Sequence, residues 1–255
     1  MSVAFSSVRD MAVTDDPLSG IASSTSPSPA LSPAQPTLDG EMFDPLVLNG
    51  VEPVHDLVDG VAFHPAVARW FRERFPQGPT PPQADGWPHI AARRHTLIAA
   101  PTGSGKTLAG FLMCINRLYL AHAAGEPTDG TRVVYVSPLK ALAVDIAENL
   151  ERPLAEIADH ARQMGMTAPS LTIGVRTGDT PSSERQAMLR KPRTFMVTTP
   201  ESLYLLVTAA KSREVLRSVE TVIVDEIQAM ARDKRGSHLA LTMDRLHHAC
   251  RTPPT

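Results

Sequence analysis

Hydrophobic and polar positions change period several times along this chain. From Ala66 to Phe75 the apolar residues recur at helical spacing, with Val67, Trp70, Phe71 and Phe75 on one side, which predicts an amphipathic helix. A second helix is expected after Pro82, and from His95 onward short β-branched runs alternate with longer helical stretches. Thr96 to Ala100, Arg132 to Val136, Leu171 to Val175, Thr194 to Val197 and Thr221 to Val224 read as strands. Helices are expected from Lys106 to about Ala121, from Leu139 toward Met164, and from Leu239 to His248. Short apolar runs separated by helices of this length predict an α/β domain, a mostly parallel sheet with helices on both faces.

The first forty or so residues differ. Ser, Pro, Asp and Ala dominate, as between Ser23 and Pro36. Such a segment cannot bury enough apolar surface to offset its ordering entropy. Residues 1–55 are therefore expected to form a disordered tail, with the ordered domain over 56–250, clear order from near Phe63, and a short tail over 251–255. Charge follows the same division. Of 27 acidic and 25 basic residues, nine acidic ones and the single basic Arg9 lie within residues 1–60, leaving 18 acidic against 24 basic in the body. A mildly basic body suits a polyanionic partner without identifying one. The two cysteines, Cys114 and Cys250, are too far apart for metal-ligand spacing and suit a reducing compartment. With no apolar run near the roughly 20 residues that cross a bilayer, and no basic flank leading into an apolar start, the expected place is the cytoplasm, with no membrane partner.

Between the first expected strand and its helix lies Ala100-Pro101-Thr102-Gly103-Ser104-Gly105-Lys106-Thr107. Glycines at 103 and 105 permit backbone angles that other residues resist, and a helix N-terminus adds positive potential. Such a loop cradles phosphates, with Lys106 against the β and γ phosphates of ATP and the Thr107 hydroxyl on Mg²⁺. Pro101, Thr102, Gly103, Ser104 and Gly105 supply the cradle itself. Downstream, Thr221-Val222-Ile223-Val224 runs into Asp225-Glu226. Asp-Glu after a strand is ordinarily a solvated turn. Behind a phosphate loop it has the chemistry an NTPase needs: Asp225 for the metal shell and Glu226 to orient or deprotonate the attacking water.

With both motifs in place the sequence resembles superfamily 2 helicases of the DEAD/DEAH-box type, and within them the large helicase-related (Lhr) family. The resemblance covers about residues 63–247. It is carried by Phe63-His64-Pro65, Trp70-Phe71, Thr80-Pro81-Pro82-Gln83, the phosphate loop, Ser137-Pro138-Leu139-Lys140-Ala141-Leu142, Arg176-Thr177-Gly178-Asp179-Thr180, Thr198-Thr199-Pro200-Glu201-Ser202, Asp225-Glu226-Ile227-Gln228 and Lys234-Arg235-Gly236. It implies the first RecA-like P-loop domain of an ATP-dependent helicase or translocase, acting on DNA rather than RNA and needing a second RecA-like domain for activity. Gln83 would read adenine, since a carboxamide both donates and accepts. Pro138, Lys140, Thr177, Gly178, Thr199, Pro200 and Glu201 would line the nucleic-acid face, where hydroxyls and free N–H groups suit phosphates without base readout. Trp70 and Trp87 are expected in packing, and His247 and His248 on a helix surface.

Two departures accompany the resemblance. Gln228 stands where the family usually has His, and the chain stops after the helix ending near His248. In the resembling fold a strand following the acidic motif inserts between Thr96–Ala100 and Thr221–Val224. Without it both neighbours are expected to face a gap, leaving a marginally stable chain with little turnover by itself. The alternative reading is a nucleotide- or nucleic-acid-binding remnant of a broken helicase gene, without catalysis.

Overall fold

The computed structural model describes residues 2–7 and 56–251. Its elements, in chain order, are β1 (Ser2–Ser7), β2 (Asp56–Val58), β3 (Val61–Phe63), α1 (Pro65–Arg74), α2 (Pro81–Ala91), β4 (Thr96–Ala99), α3 (Lys106–Ala123), β5 (Val133–Val136), α4 (Lys140–Gln163), β6 (Ile173–Arg176), α5 (Ser182–Arg190), β7 (Phe195–Thr198), α6 (Pro200–Thr208), α7 (Ala210–Val215), β8 (Thr221–Asp225), α8 (Ile227–Met230) and α9 (Lys234–Arg251).

Local chemistry sets the helix starts. The His64 imidazole accepts from the N–H of Ala66 at 3.3 Å, and Pro65 opens α1 where a missing N–H costs nothing. At α2 the Gln83 side chain reaches back to the N–H of Thr80 at 2.9 Å. The Thr199 hydroxyl and Pro200 do the same service for α6. Asp233 accepts from the N–H of Arg235 at 2.7 Å as α9 begins. That last start lies five residues before the position expected from apolar spacing, because capping rather than periodicity fixes it.

The main sheet has the order β4-β1-β8-β5-β7-β6, and β2 and β3 form a separate hairpin. Strands β8, β5, β7 and β6 run parallel, so their carboxyl ends share one edge of the sheet. Alternation along these strands divides the core. Tyr135, Phe195, Val197 and Ile223 pack with Phe111, Leu112, Ile146 and Ile157 on the side of α1 to α4. Val134, Val136, Met196, Val222 and Val224 pack with Leu203, Leu206, Val215, Leu239 and Leu246 on the side of α6, α7 and α9. Both faces are covered, which is why β5, β7 and β8 are buried at every residue. His247 lies in this second layer, 4% exposed. The expectation of a surface position holds for His248 and fails for His247, which falls on the inward stripe of α9 with Leu246 and Ala249.

The expected gap in the sheet is closed. Strand β1 lies between β4 and β8 and pairs antiparallel with both: Ala4 opposes Leu97 on one side and Val224 on the other, and Val3 opposes Ile98 and Asp225. This corrects the expectation of a slot without a strand, which residues 2–7 of the expected tail fill. The physical reason is backbone pairing: strand N–H and C=O groups cost about 1–3 kcal/mol each when left unsatisfied away from water, and one extended segment satisfies the facing rows of β4 and β8 at once. The rest of the expected tail and residues 252–255 lie outside the described residues. No helix among the described residues is long and apolar enough to cross a membrane.

If β1 holds the sheet together, Ala4→Pro should be costly, since proline in a strand paired on both sides removes a ladder donor. A loss of about 3 kcal/mol corresponds to a fall in Tm of about 6–12 °C for a domain of this size. An unchanged Tm by circular dichroism would show that β1 contributes nothing to the fold.

Candidate nucleotide site and nucleic-acid face

The loop after β4 turns on two left-handed glycines. Gly103 has φ of 80° and Gly105, the cap of α3, has φ of 84°. A Cβ at Gly105 would stand 2.6 Å from the Gln83 amide nitrogen, so glycine is required there both for its dihedral and for its neighbour. Inside the turn one carbonyl gathers three donors. The oxygen of Pro101 accepts from the Ser104 N–H at 3.4 Å, the Ser104 hydroxyl at 2.7 Å and the Lys106 ammonium at 2.7 Å. Lys106 is 6% exposed, and its charge is therefore held inside the loop by a carbonyl that an anion can replace.

The Thr80–Gln83 stretch braces this loop from α2. The Thr80 hydroxyl donates to the carbonyl of Ser104 at 2.8 Å, and the Gln83 amide donates to that of Gly105 at 3.3 Å. Gln83 is 2% exposed, with its oxygen on Thr80 and its nitrogen on Gly105. Each end retains one further hydrogen-bonding position.

Across the sheet, Asp225 ends β8 and is buried. Parallel register sets Tyr135 of β5 beside Ile223, so Tyr135 and Asp225 point to the same face, the face that carries α3. The Tyr135 hydroxyl donates to the Asp225 carboxylate and also lies in hydrogen-bonding reach of Thr107. Burial pushes the Tyr135 phenol far above its usual range, and the charge and hydrogen bond of Asp225 add to this. Tyr135 stays a neutral donor at any working pH. It joins the two residues expected to hold metal, and it was missed in the sequence. The available signal was one hydroxyl in the otherwise apolar run Val133-Val134-Tyr135-Val136. Glu226 follows with φ of 49°, a left-handed turn that takes the chain out of β8 toward α8. Its N–H donates to Asp225 at 2.9 Å, and its carboxylate accepts from the Gln228 amide. Thr107, Asp225 and Glu226 present hard oxygen donors, the kind that Mg²⁺ takes together with water and phosphate.

The expected nucleic-acid residues lie at the carboxyl ends of β5, β6 and β7, the same edge of the sheet, where α/β domains bind ligands. Lys140 pairs with Asp179 at 2.6 Å across the gap between the β5 and β6 loops. Within the β6 loop the N–H of Thr177 donates to the Thr180 hydroxyl at 2.9 Å, and Arg185 donates to the carbonyls of Gly178 and Thr180, both at 2.6 Å. Glu201 in the first turn of α6 accepts from Arg235 at 2.9 Å. Although partial burial opposes it, hydrogen bonds from its own N–H and from Arg235 hold the Glu201 carboxyl below the usual carboxylate range. Trp70 and Trp87 are buried in the α1–α4 layer, away from this edge. Among the described residues no group of three or more His, Cys, Asp or Glu side chains gathers at metal-binding distance.

A model of the DEAD/DEAH box helicase family matches residues 80–254. The chain is 50% identical over 208 residues to the Lhr helicase/probable uracil glycosylase of Mycolicibacterium smegmatis, a match covering 82% of this chain and 13% of that protein. It is 47% identical over 182 residues to the ATP-dependent helicase Lhr-Core protein 2 of Thermococcus barophilus, covering 71% of this chain and 21% of that protein. Among solved structures, the Mycobacterium smegmatis helicase Lhr bound to ssDNA and AMP-PNP matches with a TM-score of 0.69 at 52% identity, over 75% of this chain and 24% of that one. The chain thus spans less than a quarter of the length of each of these relatives.

Tyr135→Phe removes the donor to a buried carboxylate and leaves that carboxylate short of a partner. The cost is about 1–3 kcal/mol, which lowers Tm by about 2–12 °C with the far-ultraviolet spectrum unchanged. A variant as stable as the parent would show that Asp225 does not depend on this hydroxyl.

Proposed function

The chain belongs to the DEAD/DEAH box helicase family, and from that premise we propose that residues 56–250 are the ATP-binding half of an Lhr-type motor that moves along single-stranded DNA. The observation that carries this reading is the convergence of the Lys106 loop, Asp225 and the loops holding Lys140, Thr177 and Glu201 on one edge of one sheet. An NTPase that works on a polyanion needs its two ligands on the same rigid edge.

Roles follow from the positions. Lys106 exchanges the Pro101 carbonyl for the β and γ phosphates, and the N–H groups from Thr102 to Thr107 surround them. Thr107 and Asp225 would hold Mg²⁺, which would neutralise charge on the transferring phosphoryl group. Glu226, one residue beyond the metal ligand, accepts the proton of the attacking water. Gln83 meets adenine with the donor and acceptor positions left over from Gly105 and Thr80. Thr177, Gly178, Thr199 and Pro200 take phosphates of the strand, with Lys140 released from Asp179 to join them. DNA is preferred to RNA here on the strength of the Lhr relatives, one of which is solved with ssDNA. Turnover requires a second RecA-like domain, as the family resemblance implies. The unpaired cysteines Cys114 and Cys250 fit a cytoplasmic setting.

Lys106→Ala tests the nucleotide site directly. Removing a buried ammonium from charged phosphates should weaken fluorescent ATP-analogue binding roughly 10- to 100-fold, while Tm stays near the parent value. Equal affinities would sink the phosphate-loop assignment.

Binding of oligo-dT should be weak, indifferent to sequence and steeply dependent on salt. Two or three phosphate contacts on a single strand give a log–log slope of about −1.5 to −2. A flat salt dependence, or strong preference for one sequence, would contradict a phosphate-reading face.

A further inference from the structure

One stretch that carries the family resemblance, Lys234-Arg235-Gly236, has no place in the chemistry above. In the structure it stands between the two ligand sites. The Arg235 guanidinium bridges two loops of the nucleic-acid face. Its Nε donates to Glu201 Oε1 at 2.9 Å, at the start of α6, and its Nη2 donates to the carbonyl oxygen of Pro138 at 2.9 Å, in the loop after β5. Both are residues proposed above to line the strand-binding edge.

Gly236, the neighbour of Arg235, packs the start of α9 against α8, the turn that follows Glu226. The N–H of Arg235 donates to Asp233, and Gly236 packs so closely on the end of α8 that a Cβ there would stand 2.5 Å from the Met230 carbonyl oxygen. Helix α8 is a single turn that begins directly after Glu226. Asp225, Glu226, α8 and Arg235 therefore form a short connection with little slack, and the far end of it holds two nucleic-acid loops by one planar side chain.

Stability does not explain this arrangement. The Arg235 side chain is 36% exposed and that of Glu201 58%, and an ion pair that open to water contributes little to folding. Its value lies in geometry. A guanidinium fork fixes two acceptors relative to one another, which an ammonium cannot do.

We propose that Arg235 is a positioning residue that links the state of the nucleotide site to the nucleic-acid face, by moving the Pro138 and Glu201 loops together with α8. The proposal rests on the function proposed above. It adds that the affinity for the strand depends on bound nucleotide through this side chain.

The test measures fluorescein-labelled oligo-dT affinity with and without Mg²⁺ and AMP-PNP, on the full chain. The parent should change affinity at least fivefold on adding AMP-PNP. Arg235→Ala should bind a fluorescent ATP analogue as the parent does and keep its Tm, yet show a change of less than about twofold. Arg235→Lys keeps the charge without the fork and should resemble Arg235→Ala. Glu201→Gln keeps an acceptor oxygen and should retain part of the effect. A parent-like response in Arg235→Ala, or a joint loss of nucleotide affinity and Tm, overturns the proposal; the second outcome makes Arg235 merely structural. A parent that binds both ligands without influence between them overturns the proposal alone, whereas a parent that binds no nucleotide overturns the proposed function and this inference with it.

Discussion

Two strands in need of a common neighbour, β4 at the edge of the sheet and the buried β8, govern this structure. β4 and β8 bear the phosphate loop and the acidic motif, and the chemistry requires those motifs to stand a fixed distance apart. That distance is the width of one intervening strand. Direct pairing of β4 with β8 would bring Lys106 and Asp225 together by about 5 Å and would leave no room for phosphates between them. β1 supplies the spacing as well as the ladder. Backbone hydrogen bonding and active-site geometry are thus two aspects of one constraint.

Within that frame a few polar side chains in apolar surroundings do the positioning. Tyr135 enters from the next strand, crosses to Asp225 and meets Thr107. Gln83 and Thr80 hold the phosphate loop from α2, and Arg235 spans the two loops on the other side. None of these belongs to the loop or to the Asp-Glu pair itself. They act by fixing the backbone or the carboxylate on which the chemistry depends, and each is tied to a specific carbonyl or carboxylate instead of to water.

Much of this was legible in the chain. Five of the six sheet strands announce themselves as β-branched runs, and the glycines at 103 and 105 and the carboxylates at 225 and 226 stand where strand ends place them. What could not be read has identifiable causes. β1 lies in a stretch whose composition is that of a solvated tail, and both of its pairing partners are far away in the chain. Tyr135 gains its role from register, which a single sequence does not display. His247 is a polar residue on the inward stripe of α9 beside Leu246 and Ala249, a place its residue type does not announce. The brace that Gln83 adds to the phosphate loop follows from Gly105, 22 residues away.

The antiparallel strand between β4 and β8 also orders events in time. Val3 opposes Asp225, partners separated by roughly 220 residues of chain, and pairing so distant is slow because loop closure precedes any gain from contact. During synthesis β1 emerges first and finds its second partner only when β8 has been made. Until then the free side of β1 is a bare edge of the kind that recruits foreign strands. The assembly of this domain is therefore most exposed to error before β8 joins β1 to β5 and unites the two halves of the sheet.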